Sequence, residues 1–324
     1  MHPITRKLFL YQVVLLAGCR TRSAAALTAV KGDATLSYIA RLYTMKMSKS
    51  SSKIRLENKW NSIEFEINSR RAWINGTMIW LHYPLRGSGN NWAVKADDFN
   101  KGIDPILRAY GYVSSRTPQI VVLDPGHGGK DSGAIGPHKI YEKSVVLDIA
   151  HRVRKLLEAQ KITVRMTRTD DSFPSLQERS DYAYKVSADL FVSIHADGAD
   201  DSSANGMETF ITTAEGGDSS NHYGQAGDTF AVKNNKYDAS NAVLGFSIQS
   251  NLIKAAGRSD RGLRRARYAV LKNAPCPAAL VECGFVTNPT EESLLNNAKY
   301  RENVARGITN GILGYRTIVQ RSRK

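Results

Sequence analysis

Alternating apolar and polar residues dominate the first third of the chain. Between residues 54 and 81 the alternation has a period of two, as in the segment IEFEI at 63–67, which is typical of half-buried β-strands. Two further apolar segments flank Asn75-Gly76, a pair that strongly favours a tight hairpin turn. We therefore predict a small β-rich domain over residues 34–109 that serves as a binding or spacer module.

From residue 120 onward, short apolar runs alternate with longer segments that carry a helical stripe. This alternation predicts an α/β domain over residues 120–316, with a mainly parallel sheet covered by helices on both faces. Residues 110–119 contain Gly, Ser and Pro and are the predicted linker, and 317–324 form a basic tail. The predicted strands are 120–124, 163–167, 190–194, 208–211, 269–271 and 278–281, and the predicted helices are 141–160, 176–186, 241–256 and 300–313.

Three polar residues stand at the ends of apolar runs in this second domain. His127 follows the run 120–123 within the glycine-lined loop DPGHGG, His195 follows 190–194, and Glu282 follows 278–281. Ligands of parallel sheets gather beyond the carboxyl ends of the strands, so we expect these side chains to share one crevice. Two of them have structural alternatives. His127 could cap a tight strand-to-helix turn or simply face water, and Glu282 could form a salt bridge at a sheet edge.

Glu142 lies on the apolar stripe of the predicted helix 141–160, in register with Val146, Ile149 and Val153. Burying an unpaired carboxylate is costly, so its position indicates a cation or a basic partner. Two imidazoles and one carboxylate are a recurrent ligand set for catalytic zinc. A carboxylate outside the ligand set, here Glu282, is the usual general base for the attacking water.

The motifs around these residues resemble those of the zinc-dependent N-acetylmuramoyl-L-alanine amidases of the type-3 family. The resemblance covers residues 119–316 and implies that His127, Glu142 and His195 bind Zn²⁺ and that Glu282 is the catalytic acid/base. It also implies hydrolysis of the amide between the lactyl group of N-acetylmuramic acid and L-alanine in peptidoglycan. In chain order the motifs are DPGHGG (124–129), DSGA (131–134), Glu142, Thr167-Arg168, Leu176 with Arg179, SIHAD (193–197), DRG (260–262), and VECGF (281–285) with Asn288-Pro289.

Two further features follow from likeness to known families. The N-terminal module is loosely similar to the N-terminal stalk-type domain of copper amine oxidases, although it holds no cluster of metal-ligating residue types in its sequence. Arg168 and Arg179 resemble framework positions of the amidases. We predict that they pair with neighbours such as Asp170 and Glu178, and the alternative is that they bind a substrate carboxylate.

The N-terminus predicts export. Arg6 and Lys7 precede an apolar run over residues 8–17 that is too short to span a bilayer permanently. The run ends in Leu16-Ala17-Gly18-Cys19, which resembles a lipobox, so we predict a signal peptide over 1–26 and a lipid anchor on Cys19. The alternatives are ordinary cleavage after Ala26 and a buried helix. The expected location is the cell envelope, either periplasmic or anchored to the outer membrane.

Charge is distributed unevenly along the 324 residues, whose formal net charge is +15. Residues 1–117 contain 18 Lys and Arg against 7 Asp and Glu, whereas residues 118–316 contain 24 against 23. A basic exported module suits an anionic partner such as a cell-wall polymer or lipid headgroups. The export signal argues against nucleic acid, and a solvated basic face without a partner is the alternative.

Three functional alternatives remain at this point. The leading prediction is a monomeric zinc amidase that acts on peptidoglycan. The others are a wall-binding protein that has lost activity and a zinc amidase or deacetylase for another envelope amide. Some family members carry a helical insertion that occludes the zinc. Residues 212–240 are rich in Gly, Ser, Asn and Asp here, so we expect an enzyme that is open without an activator.

Overall fold

The computed structural model describes residues 29–113, 116–220 and 229–322. The predicted signal peptide and Cys19 lie outside these residues. The strands are β1 (Ala34–Thr35), β2 (Lys46–Lys49), β3 (Lys53–Glu57), β4 (Ser62–Glu66), β5 (Arg71–Ile74), β6 (Thr77–Trp80), β7 (Ala93–Val94), β8 (Ile120–Pro125), β9 (Thr163–Met166), β10 (Leu190–His195), β11 (Met207–Thr212), β12 (Asp260–Ala266) and β13 (Ala278–Glu282). The helices are α1 (Leu36–Leu42), α2 (Ala96–Asp98), α3 (Asp104–Leu107), α4 (Glu142–Glu158), α5 (Leu176–Lys185), α6 (Asp238–Ala256), α7 (Ala269–Lys272), α8 (Pro289–Asn296) and α9 (Ala298–Arg321).

One large sheet runs through the protein in the order β2-β3-β4-β5-β6-β12-β11-β13-β10-β8-β9. Strands β2 to β6 form antiparallel hairpins, including the predicted turn at Asn75-Gly76 between β5 and β6. Beyond them the pairs are parallel except for β11 with β13. The predicted α/β fold after a β-rich N-terminal region is therefore confirmed, although parallel pairing holds for only part of the sheet.

The N-terminal hairpins are joined directly to the strands of the α/β part of this sheet. Strand β6 pairs with β12 in parallel register at Ile79 and Leu263. Two side-chain hydrogen bonds support this single register pair. The Met78 amide donates to Asp260 Oδ2 at 2.7 Å, and the Trp80 indole Nε1 donates to the Arg261 carbonyl at 2.8 Å. The β-rich region thus protects an edge of the α/β sheet that would otherwise lie open.

Helices cover both faces of the α/β part of the sheet. Alternate residues of β8 belong to different hydrophobic cores. Val121 and Leu123 lie in the core that includes residues of α4, α6 and α9, whereas Val122 lies in the core that includes residues of α5 and α7. Such double coverage explains why the strands are almost continuously apolar. No helix within the described ranges combines the length and the apolar character needed to cross a membrane.

The structure differs from the predicted elements at three places. Residues 269–271, predicted as a strand, belong to the short helix α7. A run of three apolar residues is too short to distinguish the helical period of 3.6 from the strand period of 2. The strand β12 was not predicted because its sequence DRGLRRA carries four charged residues. Its partners explain how such a strand is tolerated, as the buried Arg265 donates to the Lys101 carbonyl at 2.7 Å. Helix α9 also extends to Arg321, into the segment expected as a tail.

Candidate metal centre and active site

Three polar residues meet where the central strands end. His195 is the last residue of β10 and Glu282 the last of β13, and the two are direct register partners in this parallel pair. His127 follows β8, the other neighbour of β10, and has a left-handed backbone with φ of +58°. The expectation that these side chains share one crevice at the carboxyl ends of the strands agrees with this placement.

Glu142 is the first residue of α4 and is buried between the two histidines. Its Oε1 lies 3.1 Å from His127 Nε2 and 3.0 Å from His195 Nδ1. One ligand atom from each of the three residues lies within 4.8 Å of the others, so the group could hold a metal ion. The backbone amides of Ala134 and Ala196 donate to the two Glu142 carboxylate oxygens at 2.9 and 3.0 Å and fix its orientation.

Asp131 orients the first histidine. Its Oδ2 lies 2.9 Å from His127 Nδ1, on the ring nitrogen that faces away from Glu142. A carboxylate in this place selects the tautomer and makes the other nitrogen a better metal ligand. Burial disfavours a charged imidazole, but hydrogen bonds and charges from Glu142 and Asp131 outweigh it and raise the pKa of His127.

The two carboxyl groups at the centre have opposite environments. Burial opposes ionisation of Glu142, but hydrogen bonds from His127 and His195 outweigh it and hold the pKa of Glu142 well below its usual range. Burial, reinforced by the charges of Asp197, Glu142 and Glu208, raises the pKa of Glu282 instead. Within the described residues, Glu282 Oε2 is buried without a hydrogen-bond partner. Two carboxyl groups separated in pKa are typical of a site where one holds charge and the other moves protons.

Gly126 permits the close approach of the loop to His195. A Cβ atom built at Gly126 would overlap the His195 imidazole ring. We therefore expect Gly126→Ala to displace His195 and to lower metal affinity and activity by at least about 10-fold, since ligand orientation controls both. Metal titration of the purified variant measures the affinity.

Gly32→Ala is the matched control, because a Cβ there meets nothing within 4 Å and the backbone is not left-handed. It should bind metal like the parent protein. Equal metal affinity of the Gly126 and Gly32 variants would contradict the steric argument.

Arg168 and Arg179 hold the loop that carries His127, because their guanidinium groups donate to residues 124–127. Arg179 is buried and donates to Asp124 Oδ1 at 2.7 Å and to the carbonyls of Pro125 and His127 at 2.8 Å. Arg168 is also buried and donates to the carbonyls of Pro125 and Gly126. Framework roles agree with these contacts, but the predicted pairing with Glu178 is wrong, because Glu178 instead caps α5 through Ser175.

Arg179→Gln should destabilise the fold, because it leaves the fully buried Asp124 without its cation. Breaking a buried ion pair costs about 3–5 kcal/mol in the free energy of unfolding. Urea unfolding monitored by circular dichroism measures this loss. Arg165→Gln, at an exposed position of β9, is the control and should change the same quantity by less than about 0.5 kcal/mol.

The two cysteines in the described part of the chain, Cys276 and Cys283, are both free and buried. Burial raises the pKa of the Cys283 thiol well above its usual value, so this neighbour of Glu282 is a packing residue and not a nucleophile. His138 and His151 lie outside the group that could hold a metal ion. His138 contacts Glu292, and His151 contacts the Thr169 carbonyl.

Sequence reasoning assigned no role to Asp131, Asp197 or Glu208, which surround the centre. Burial and the charges of Glu208 and Glu142 raise the pKa of Asp197. Glu208 is the register partner of Glu282 on β11 and is buried. Glu208 could have been noticed in the sequence, because it is a charged residue within the mostly apolar segment 207–211. A charge buried in a strand that is covered on both faces needs a partner of opposite charge or a hydrogen bond.

Comparison with known proteins agrees with this geometry. A family model described as N-acetylmuramoyl-L-alanine amidase (Amidase_3) matches residues 121–314. The amidase AmiA of Escherichia coli is 36% identical over 61% of this chain and 76% of its own length. The probable cell wall amidase LytH of Staphylococcus epidermidis is 28% identical over 85% of this chain and 77% of its own length.

The catalytic domain of CwlV, an N-acetylmuramoyl-L-alanine amidase from Paenibacillus polymyxa, has a similar solved structure. Its TM-score is 0.52 at 32% identity, over 62% of this chain and 99% of CwlV. The family match begins at residue 121, so the likeness of the N-terminal region to copper amine oxidases gains no support from it. The match spans more than half of the chain, and the protein therefore belongs to the N-acetylmuramoyl-L-alanine amidase family of hydrolytic enzymes.

Proposed function

We propose that this protein is a zinc-dependent hydrolase that cleaves the amide between N-acetylmuramic acid and L-alanine in peptidoglycan. The observation that carries the proposal is the convergence of His127, Glu142 and His195 within 4.8 Å, with Glu282 at the end of the adjoining strand. In this proposal the first three residues bind the metal and Glu282 is the catalytic acid/base.

The donor chemistry fits zinc. Two imidazole nitrogens and one carboxylate oxygen are a frequent protein ligand set for catalytic zinc, in which a fourth position stays open. The buried Glu142 supplies a negative charge that a divalent cation would compensate, and Asp131 gives His127 the outer partner that metal-bound histidines usually have. Calcium or magnesium is a poorer fit, because both prefer oxygen ligands.

Glu282 has the properties that the proton transfers require. Burial and the neighbouring carboxylates raise the pKa of Glu282, which favours the protonated form that donates to a leaving group. In this proposal Glu282 takes a proton from the attacking water and later releases it. When bound, zinc polarises the scissile carbonyl and makes water acidic enough to react near neutral pH. The water oxygen joins the carbonyl carbon, the C–N bond breaks, and Glu282 delivers the proton to the departing nitrogen of L-alanine.

Two other functions remain to be separated from this one. An inactive wall-binding protein would need no acid/base, yet Glu282 is present beside a complete set of candidate ligands. A zinc amidase or deacetylase for another envelope amide would use the same chemistry on a different bond. Digestion of purified peptidoglycan with mass analysis of the products tests all three. We expect free stem peptides and intact glycan chains, and released acetate or unchanged sacculi would refute the proposal.

We further propose that the enzyme needs no activator to expose its cleft. Strand β11 is antiparallel to β13 and begins beside Glu282, so its last residue, Thr212, lies at the opposite end of these strands from Glu282. Shortly after it the chain contacts the N-terminal region, where Lys101 donates to the Glu215 carbonyl at 3.4 Å and the Tyr83 hydroxyl donates to the Gly216 carbonyl at 3.3 Å. Purified, zinc-loaded protein should therefore digest sacculi alone, and activity that appears only after a partner is added would contradict this.

The proposed location is the cell envelope, where the substrate lies. Anchoring through Cys19 and export by the residues before it remain predictions from the sequence. Intact mass of the mature protein and fractionation of Cys19→Ala test them together. A diacylated membrane-bound parent and a soluble variant are expected, whereas a soluble parent without lipid would exclude the anchor.

A further inference from the structure

A cluster of charged residues lies on the far side of Glu282 from the candidate ligands. Strands β10, β13, β11 and β12 are adjacent, and His195, Glu282, Glu208 and Gly262 are successive register partners across them. Partners in register project to the same face of a sheet. The row therefore leads from the metal cluster, through Glu282, to the β12 segment that begins with Asp260 and Arg261.

Glu208 pairs with two arginines of β12 at once. Its Oε2 lies 3.0 Å from Arg261 Nε and 2.5 Å from Arg264 Nη1. Arginine stays protonated at any physiological pH, so Glu208 faces two charged guanidinium groups. The Arg264 side chain is 13% exposed, whereas that of Arg261 is 35% exposed, so Arg261 is the member that an incoming ligand can reach.

The Arg261 guanidinium is held by two neighbours. Its central carbon lies 4.7 Å from the centre of the Phe285 ring, and its Nε donates to Glu208 Oε2 at 3.0 Å. An arginine held in this way loses less entropy when its terminal nitrogens bind a carboxylate. The one terminal-nitrogen contact recorded among the described residues is a long one, 3.4 Å from Nη1 to the Asn205 carbonyl.

The N-terminal region supports this arrangement from the other side of β12. The Trp80 indole donates to the Arg261 carbonyl at 2.8 Å, and the Arg264 guanidinium lies 4.9 Å from the centre of the Trp80 ring. The Met78 amide donates to Asp260 Oδ2 at 2.7 Å. These contacts hold the Arg261 carbonyl and the Asp260 side chain, so the β-rich region supports the cluster.

We propose that Arg261, positioned by Glu208, Arg264 and Trp80, forms a subsite that binds a carboxylate of the peptide part of the substrate. This inference rests on the proposed function. Two strand spacings of about 4.8 Å separate Gly262 from Glu282, so the backbone of β12 beside Arg261 lies about 10 Å from the backbone of Glu282. An extended peptide advances about 3.3 Å per residue, which places the acidic second residue of a stem peptide within reach of a long arginine side chain.

Other cations near the centre are less suited to this role. Arg168 and Arg179 are buried, and their nitrogens already donate to backbone carbonyls and Asp124. Lys143 donates to the Gly129 carbonyl and pairs with Asp171. Binding of a substrate carboxylate was the alternative role for Arg168 and Arg179 in the sequence analysis, and we assign it to Arg261 instead.

The test compares two synthetic substrates that differ in one group. N-acetylmuramoyl-L-alanyl-D-glutamate carries a free α-carboxylate, and N-acetylmuramoyl-L-alanyl-D-isoglutamine carries a neutral amide in its place. We expect the parent enzyme to prefer the carboxylate in kcat/KM. Arg261→Gln should lose about 10- to 100-fold on the carboxylate substrate, mainly through KM, and less than about 3-fold on the amide. On the carboxylate substrate, the kcat/KM of Arg261→Lys should fall between that of the parent and that of Arg261→Gln.

Arg152→Gln is the matched control, since Arg152 is 28% exposed and also pairs with a carboxylate, but lies outside the cluster. It should keep the parent preference. Equal losses of Arg261→Gln on both substrates would show a structural role and overturn the proposal, as would a parent enzyme without preference for the carboxylate.

A binding measurement separates this inference from the proposed function. Calorimetric titration of Glu282→Gln with each muramoyl dipeptide reads recognition without turnover. Tighter binding of the carboxylate form, lost in the double variant with Arg261→Gln, supports the subsite even if hydrolysis is not observed. Equal binding of the two dipeptides refutes the subsite whether or not the enzyme is an amidase.

Discussion

Glu282→Gln is expected to lower kcat on muramoyl peptides by about 10²- to 10⁴-fold, the usual contribution of a general acid/base. The amide cannot accept a proton from water, and therefore cannot return one to the departing nitrogen. Glu282 Oε2 is buried without a hydrogen-bond partner in the described structure, so the isosteric replacement breaks no contact of that atom. Metal content should remain that of the parent, because Glu282 lies outside the candidate ligand set.

Two measurements together identify the role of Glu282. Turnover on the muramoyl dipeptides gives kcat, and elemental analysis of the same preparation gives the metal stoichiometry. Glu302→Gln, on α9 and outside the centre, is the control and should leave both unchanged. Unchanged turnover in Glu282→Gln would refute the assigned role, and loss of metal together with turnover would make Glu282 a ligand.

His127→Ala is expected to lose the metal and, with it, hydrolysis. The substitution removes one of the candidate ligands and leaves Glu142 buried with a single imidazole partner. Catalysis and metal content should fall together, because the residual site offers one nitrogen and one carboxylate. Asp131→Asn should produce a graded effect, lowering metal affinity by about 10- to 100-fold, because Asp131 contacts His127 and is not in the candidate ligand set.

Competition with a chromophoric chelator measures these affinities. His138→Ala is the matched histidine control, since its side chain is 76% exposed and contacts Glu292 outside the cluster. It should bind metal like the parent. A His127→Ala protein that retains stoichiometric, tightly bound metal would contradict the ligand assignment. Removal of metal from the parent and reconstitution with Zn²⁺, Co²⁺ or Mn²⁺ would show which ion restores hydrolysis.

The candidate site was largely predictable because its residues occupy strand ends and a helix stripe. His195 and Glu282 directly follow apolar runs, and parallel strands bring their carboxyl ends to one edge of the sheet. Glu142 was noticeable because a carboxylate on the same helix face as Val146 and Ile149 is expected to be buried, and a buried carboxylate needs a cation or a hydrogen-bond donor. These signals are local, and local signals survive in a single sequence.

The partners of Arg179 were not predictable in the same way. The neighbour Glu178 suggested a pair, but adjacent residues on a helix point in different directions, and Arg179 instead reaches Asp124 on β8. The charged strand β12 was missed for a related reason. Its arginines are compatible with a strand only because Glu208 and the Lys101 carbonyl accept their hydrogen bonds.

The sequence by itself determined the fold class, the α/β order from residue 120, and the four residues His127, Glu142, His195 and Glu282 of the candidate site. Each of these follows from periodicity or from the composition of one short segment. Only the tertiary structure decided that β6 pairs with β12 and places Trp80 beside Arg261 and Arg264. Such contacts join segments about 180 residues apart. An edge strand can accept any partner with free backbone groups, so the pattern within one strand does not specify which partner it will find.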